Sequence, residues 1–547
     1  HRLIRRQRQM CIRDRYLTAI PGFLLIASAW TKSSILRRIR QGYFGIIAFV
    51  MSCIFIIDLG LYGFWGFRLD ATPIFYFFSS PKDAMASVSF WFILLGILAM
   101  LIYAAILYGI FYAVLIREKA PLKIPYQRQY VSLVLLLLTA ALFIPIRGGF
   151  SVSTMNLSKV YYSQNQRMNH AAINPAFSFM YSATHQNNFD KQYRFMDPKV
   201  ADDLLAEMLD KPVAATDSIP QILNTQRPNI IFIILESFST HLMETMGGQP
   251  NVAVNMDKFG KEGVLFTNFY ANSFRTDRGL ASIISGYPGQ PSTSIMKYPE
   301  KTDGLPSIPR SLKNAGYSLE YYYGGDADFT NMRSYLVSSG IEKIISETDF
   351  PLSERQGKWG APDHTLFQRF LKDLKEEKQQ EPFFKIVQTS SSHEPFEVPF
   401  YRLDDKVLNA FAYADSCVGD FVRQYKETPM WKNTLIVLVP DHLGAYPRPV
   451  ENPLEGHTIP LILIGGAVKE PRVVDTYASQ IDIAATLLSQ LGLPHDDFTF
   501  SKNIMNPASP HFAYFTRPNY FGMITADNQL AVSYTHLRAH ETRHDLV

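Results

Sequence analysis

Hydrophobic residues fall along this chain in two unlike regimes. Up to residue 147 they form four long blocks, roughly 16–30, 43–66, 88–116 and 130–146, with short polar connections between them. The second and third reach the ~20 apolar residues that a helix needs to cross a bilayer core. The fourth, YVSLVLLLLTAALFIPI, is just adequate, and the first is short. Apolar blocks of this length with no charge, or with the single Asp58 of the second, are uncommon as buried core helices, so the pattern predicts four membrane-spanning helices over 16–147.

From residue 228 the apolar runs become short. NIIFIIL (229–235), SLEYYY (318–323), FFKIVQT (383–389), TLIVLV (434–439) and IPLILI (459–464) read as strands. Helical patterns such as HTLFQRFLKDLKEE (364–377) and NAFAYADSCVGDFVRQY (409–425) lie between them. Near-continuous apolar strands separated by helices predict a mostly parallel sheet covered on both faces. The chain thus divides into a helical region and an α/β domain over 228–500, with 501–531 as a C-terminal extension of that domain. Residues 148–227 are polar and Asn/Gln-rich, with an amphipathic patch at ADDLLAEML (201–209). They predict a linker with short helices running along the membrane surface.

Charge orients the helical region. The connection 31–42 carries Lys32, Arg37, Arg38 and Arg40, and the connection 117–129 carries Arg117, Lys119, Lys123 and Arg128. The connection 67–87 has only Arg68 and Lys82, offset by Asp70 and Asp83. The excess of basic residues puts the first two in the cytoplasm, so everything after Arg147 is expected outside it. Over the whole chain 53 basic residues meet 49 acidic ones, a net +4 that is too balanced to argue for nucleic acid. The mean hydropathy of −0.03 averages two unlike halves. The cysteines, Cys11, Cys53 and Cys417, imply neither a disulfide framework nor a cysteine metal site.

Both ends fit no structural pattern. QMCIRDR and VSYTHL fit one nucleotide sequence and its reverse complement read as codons, and that sequence resembles a transposon-end sequencing adapter. Residues 1–15 and 532–547 are therefore expected to be foreign, with both natural termini lying beyond them. On that reading His536, His540 and His544 are no metal site, and a chain starting in the cytoplasm would have one further helix.

Ligands of open α/β sheets bind beyond the carboxyl ends of the strands, and three strands end in unusual polar groups. NIIFIIL runs into Glu236, TLIVLVP into Asp441 and His442, and FFKIVQTS into the loop of His393. Asp441 and His442 either cap the next helix or share a divalent ion with Glu236, a mixed site suited to Mn²⁺, Mg²⁺ or Zn²⁺. In SFRTDRGLASI (273–283), Thr276 is either a plain N-cap or a hydroxyl activated by that ion. A helix starting near Asp277 would offer a phosphate its N-terminal amides, with Arg275 and Arg278 adding charge. His393, on a loop after a strand, is either a structural histidine or the group that protonates a leaving oxygen. His457, ahead of the last strand, is either a structural histidine or a contact to the same phosphate.

This set resembles the lipoteichoic-acid synthase-like phosphoglycerol transferases of the alkaline phosphatase/sulfatase superfamily. Its carriers are NIIFIILESF, the threonine of FRTDRG, SSSHEPF and VPDHLG. The resemblance implies a sulfatase-like catalytic domain outside a bacterial cell (inner) membrane, anchored by a multi-pass helical region. It implies one divalent ion, usually Mn²⁺, on Glu236, Thr276, Asp441 and His442, with Thr276 as covalent nucleophile and His393 on the phosphate. It further implies a phospholipid donor such as phosphatidylglycerol and a glycan or glycolipid acceptor. Asp326 and Arg333, seven apart in YYYGGDADFTNMRSYL, match the family's substrate-binding pair. Two departures stand beside them: Gly324 where the family usually has His, and Asn331 where it usually has Trp.

Phosphoethanolamine transferases share the threonine and a similar ligand set, and a head-group hydrolase would use the same covalent intermediate. A non-catalytic scaffold is the alternative of another class, disfavoured because all four ligands are present.

Overall fold

The computed structural model describes residues 16–31, 34–71, 73, 89–117, 127–150, 152–185, 195–209, 219–376, 379–447 and 455–534. The adapter-like stretches 1–15 and 535–547 lie outside these residues, as do Lys32, Lys82, Asp83, Lys119 and Lys123 of the connections. The chain forms two compact units, divided between Phe189 and Asp190.

The first unit is helical: α1 Tyr16–Trp30, α2 Ser34–Trp65, α3 Phe90–Phe111 and α4 Arg128–Ala141. Three helical stretches, Ser34–Gly63, Phe90–Ile116 and Arg128–Arg147, are long and apolar enough to cross a membrane. The first expected span is a shorter apolar helix of 15 residues. One boundary differs from the sequence reading. The basic stretch expected as a connection from residue 31 to 42 is largely helix, because α2 begins at Ser34 and carries Arg37, Arg38 and Arg40. Arg, Leu and Gln are good helix formers, and no proline lies between Ser34 and the apolar run; the single Gly42 does not stop the helix.

The start of the expected linker is also ordered. Helices α5 Gln166–Ala172 and α6 Pro175–His185 follow the membrane region within the same unit. Arg68 holds this segment down: its guanidinium pairs with buried Asp58 at 2.5 Å, and its Nε donates to the carbonyl of His170. Of the linker's remainder, α7 Pro198–Met208 covers the amphipathic patch and is N-capped by Asp197.

The second unit is built on an eight-stranded sheet. Its strands are β1 Asn229–Leu235, β2 Val264–Phe266, β4 Ser318–Tyr323, β5 Lys343–Ile345, β6 Phe383–Gln388, β7 Thr434–Pro440, β8 Leu461–Ile464 and β9 Arg472–Val474. A two-stranded pair, β3 Phe269–Tyr270 with β10 Ala478–Ser479, lies outside it. The order is β5-β4-β6-β1-β7-β8-β2-β9. All neighbours are parallel except β8, which is antiparallel to both β7 and β2. The five strands expected from sequence are β1, β4, β6, β7 and β8.

Side-chain alternation sorts the two faces. Ile230, Phe232 and Ile234 of β1 point into one core with Leu280, Ile283 and Ile284, while Ile231, Ile233 and Leu235 point into another with Phe367, Phe370 and Phe421. Helices α9 Thr276–Ser285, α10 Ile308–Asn314, α11 Met332–Ser338 and α14 Ile483–Gln490 supply the first layer. Helices α8 Val254–Glu262, α12 Asp363–Glu376 and α13 Lys406–Tyr425 supply the second. Every residue of β1 and β7 is buried, as burial on both faces requires.

A three-stranded antiparallel sheet, β11 Ala513–Thr516, β12 Tyr520–Ile524 and β13 Gln529–Ser533, closes the unit. Strand β13 takes in Val532 and Ser533, the first two residues of the adapter-like stretch.

Candidate active site

The central strands β1 and β7 run side by side, with Leu235 opposite Pro440, so their next residues emerge together at one sheet end. Those residues are Glu236 and Asp441, both buried. Ser237 then adopts a left-handed conformation, φ 59°, which turns its amide back to Asp441 Oδ1 at 2.9 Å and its hydroxyl to Glu236 Oε1 at 2.7 Å. Gly444 is required opposite this turn: a Cβ there would lie 2.2 Å from Ser237 Oγ.

His442 donates from Nδ1 to the carbonyl of Leu443 at 3.1 Å, since a carbonyl can only accept. That leaves Nε2 facing Glu236 Oε1 at 3.6 Å and Asp441 Oδ2 at 3.5 Å. The ligand atoms of Glu236, Asp441 and His442 all lie within 4.8 Å of one another.

Thr276 is the first residue of α9, so its hydroxyl sits among free N-terminal amides. Thr276 Oγ1 lies 3.4 Å from Glu236 Oε2 and joins the cluster. The glycine of FRTDRG explains how the helix comes so near. A Cβ on Gly279 would stand 2.0 Å from the carbonyl oxygen of Asp441, so only glycine lets α9 lie on the end of β7. Gln480 fixes the same place, donating to the carbonyls of Pro440 and Asp441 and accepting from the amide of Asn272.

Two carboxylates share this pocket, with the His442 imidazole facing both. Burial first, and the Glu236 charge second, push the Asp441 carboxyl up to about 7, while His442, the Ser237 amide and the Thr276 hydroxyl hold it down. Burial opposes the charged form of His442, but the two carboxylates outweigh it and raise its pKa. Asp441 Oδ2 is buried with no hydrogen-bond partner. An orphaned carboxylate oxygen amid a second carboxylate, an imidazole and a hydroxyl is the donor set of a divalent ion, and the residues fit one.

A cavity of about 490 Å³ opens over the cluster. Thr276, His393, His442 and Arg275 line it, as expected, but so do Phe274, Phe329, Trp359, Ser392 and Arg517, which the sequence reading did not single out. His393 packs against the Trp359 indole with ring centroids 4.3 Å apart and the planes tilted at 54°. Burial, with His442 adding, holds the His393 imidazole below its ordinary pKa against the opposing Glu394 carbonyl and Asp441. Ser392 ties this loop to the cluster, its hydroxyl donating to the carbonyl of Glu236 at 2.7 Å.

Three expected substrate contacts are not in the cavity lining. Arg333 is buried and pairs with Asp328 at 2.6 Å and Ser346 at 3.1 Å, not with Asp326. Asp326 instead accepts the amide of Asp328. The reason is local: Thr330 and Asn331 both take left-handed φ, 49° and 64°, and that turn carries Asp328 to the guanidinium. His457 is wholly buried behind the wall, stacked on Phe515. The two departures also have physical causes. A Cβ on Gly324 would lie 2.2 Å from the carbonyl oxygen of Ala361, so no side chain fits there. Asn331 is buried, and the cavity's indole comes from Trp359 instead.

Residues 228–493 match the family model described as Sulfatase. The chain is 23% identical over 304 residues to lipoteichoic acid synthase 2 of Bacillus subtilis, covering 50% of this chain and 46% of that protein. It is 25% identical over 321 residues to phosphoglycerol transferase I of Xanthomonas campestris, covering 53% and 45%. The chain thus spans about half the length of the curated relatives it matches. Among solved structures, a protein of the alkaline phosphatase superfamily from Vibrio parahaemolyticus superposes with a TM-score of 0.55 at 28% identity, covering 62% of this chain and 86% of that one. The lipoteichoic acid synthase LtaP of Listeria monocytogenes superposes with a TM-score of 0.50 at 19% identity, covering 61% and 91%, a likeness of fold.

Proposed function

Residues 228–493 are a sulfatase-family domain of the alkaline phosphatase superfamily, and on that premise we propose that this chain is a membrane-anchored, metal-dependent transferase. It moves a phosphoglycerol-type head group from a phospholipid to an extracytoplasmic glycan or glycolipid acceptor. The observation that carries this reading is the Thr276 hydroxyl at a helix N-terminus, 3.4 Å from Glu236, in a cluster whose Asp441 Oδ2 lacks a partner. Relatives named lipoteichoic acid synthase and phosphoglycerol transferase I support the head group.

Glu236, Thr276, Asp441 and His442 would hold the ion, Mn²⁺ by preference, with Mg²⁺ or Zn²⁺ compatible with the same donors. When bound, it supplies positive charge that lowers the pKa of the threonine hydroxyl and offsets the phosphate's charge. Thr276 Oγ1 attacks the donor phosphorus, its proton having an acceptor in Glu236 Oε2. The bond from phosphorus to the diacylglycerol oxygen breaks, and that oxygen takes a proton from His393 in its imidazolium form. Being held below its ordinary pKa makes that imidazolium a stronger acid and leaves it neutral afterwards. An acceptor hydroxyl then gives its proton to neutral His393 and attacks the phosphorus of phospho-Thr276; the bond from phosphorus to Thr276 Oγ1 breaks, and that oxygen takes its proton back from Glu236. The amides of α9 and the Arg275 side chain stabilise the phosphoryl oxygens. Arg37, Arg38 and Arg40 at the start of α2 favour a cytoplasmic position for that end.

The test uses the full chain in detergent with Mn²⁺, incubated with phosphatidylglycerol and, separately, phosphatidylethanolamine, followed by peptide mass mapping. A glycerol-phosphate adduct on Thr276 is expected from the first. An adduct from phosphatidylethanolamine alone would keep the mechanism and replace the head group. No adduct from either lipid would refute the reading.

A further inference from the structure

The cavity lining also contains a cation, Arg517, that lies beyond residue 493, where the sulfatase match ends. Arg517 follows β11 at the turn into β12, with its amide donating to Tyr520 at 2.7 Å. The turn is anchored to the nucleophile's own segment. The Thr516 amide donates to the carbonyl of Asn272 at 3.0 Å, and Asn272 Nδ2 donates to the carbonyl of Tyr514 at 2.8 Å. Four residues after Asn272 comes Thr276.

The guanidinium is held by hydrogen-bond chemistry that admits one arrangement. His457 Nδ1 faces the carbonyl of Ala271 at 3.1 Å, and a carbonyl only accepts, so Nδ1 carries the proton. Its Nε2 faces Arg517 Nε at 3.2 Å, and a guanidinium only donates, so Nε2 offers a lone pair. His457 is therefore neutral. Its burial, and next the charge of Arg517, hold its pKa down to about 3, in keeping with that geometry. Stacking on Phe515 at 4.2 Å fixes the ring plane.

One donor of Arg517 is thus spent on His457, and Nη2 reaches only as far as the carbonyl of Gly456, at 3.5 Å. The flat guanidinium also lies 5.7 Å from the Phe274 ring centroid. No carboxylate pairs with Arg517 among the described residues. The carboxylates that line the cavity are Asp277, which is paired with Arg278, and Glu394. A half-buried cation aimed by a neutral acceptor and left without an acid partner is arranged for an anion from outside the chain.

We propose that Arg517 binds a non-bridging oxygen of the substrate's phosphate group, and that His457 is the positioning residue that aims it. The inference rests on the phosphate-transfer reading above and deepens it. The C-terminal three-stranded sheet becomes part of the substrate site, supplying the wall that faces α9.

The experiment measures inorganic phosphate binding by calorimetry, on the full chain with Mn²⁺, without turnover. Arg517→Ala is expected to weaken binding by about tenfold or more, the worth of a hydrogen bond to a charged group. His457→Ala is expected to weaken it in the same direction. The double variant is expected to lose no more than Arg517→Ala alone, because His457 acts only through Arg517. Additive losses would overturn the positioning role, and wild-type affinity in Arg517→Ala would overturn the proposal. Should Arg517→Ala fold poorly, Arg517→Lys keeps the charge without the Nε–H. Full affinity in that variant would overturn the link to His457, and reduced affinity at an unchanged melting temperature would support it. Arg517-dependent phosphate binding with no adduct on Thr276 from either phospholipid would sink the transferase reading and leave this site standing.

Discussion

Gly279 offers the sharpest test of how this site is assembled, because the effect of one methyl group can be worked from backbone positions alone. An added Cβ would stand 2.0 Å from the Asp441 carbonyl oxygen, 2.8 Å from its carbon and 3.2 Å from its Cα. Ordinary non-bonded contact is about 3.5 Å, so the shortfall is roughly 1.5 Å, and all three clashing atoms are backbone. No rotamer change relieves it. Either α9 lifts off the end of β7, or β7 gives way against β1, to which it is paired along its whole length. The helix is the weaker partner, and its first residue is Thr276.

Overpacking of this kind costs about 1–3 kcal/mol. At about 2–4 °C per kcal/mol for a domain of this size, the melting temperature falls by several degrees. The functional loss is larger. A shift of about 1 Å in a reacting group costs on the order of 10²-fold in rate, and lifting α9 moves Thr276 away from Glu236 and Asp441 together. The assay is paired: thermal unfolding, and the rate of adduct formation on Thr276 with phosphatidylglycerol and Mn²⁺. Gly304→Ala is the control, since its Cβ would meet nothing nearer than 3.8 Å. If Gly279→Ala kept both the wild-type melting temperature and the wild-type rate, the close seating of α9 on Asp441 would be wrong.

Thr276→Ser should keep measurable transfer and Thr276→Ala none, while both retain divalent-ion binding by calorimetry; turnover by the alanine variant would remove the covalent mechanism. His393→Gln should slow adduct formation by about 10²-fold or more, the usual worth of a general acid, with the ion still bound. Burial pushes the Asp363 carboxyl up to about 6, against the amides of Ser390 and Ser391 that it accepts. Its folded pKa is raised, so its contribution to stability is full below about pH 4 and is lost as pH rises through about 6. Asp363→Asn should flatten that fall in a melting series from acid to neutral pH, and an unchanged series would refute the assignment. Asp441, raised to about 7, has the same sign: a chelated sample should lose stability as pH rises through about 7, and added Mn²⁺ should restore more at pH 8 than at pH 5.

The parts of this site that were legible in the sequence share one property: each follows a strand whose apolar run marks it. Glu236, Asp441 and the loop of His393 sit at the carboxyl ends of β1, β7 and β6, and a parallel sheet brings such ends together whatever else the chain does. Thr276 was legible because a helix start is itself a local signal. The three-residue strands β2, β5 and β9 were not, since so few residues show no alternation, and the antiparallel direction of β8 depends on a connection that carries no sequence mark.

Spacing alone does not show the partners of Asp326 and Arg333, because a turn intervenes. Asp326 and Arg333 are seven apart, yet two left-handed residues between them hand the guanidinium to Asp328. Nor does anything near Arg517 announce it. Its placement depends on His457, whose tautomer is fixed by Ala271 and whose ring stacks on Phe515, and on a strand end tied to Asn272, so segments near 271, 457 and 515 must meet. The division has a consequence for specificity. Chemistry placed at strand ends is set by the sheet, whereas Trp359 and Arg517, which line the cavity beside it, stand on loops outside the sheet. On the proposals above, a change of head group needs no change in the cluster that holds Thr276 or in Arg517, since both act on the phosphate that such substrates share.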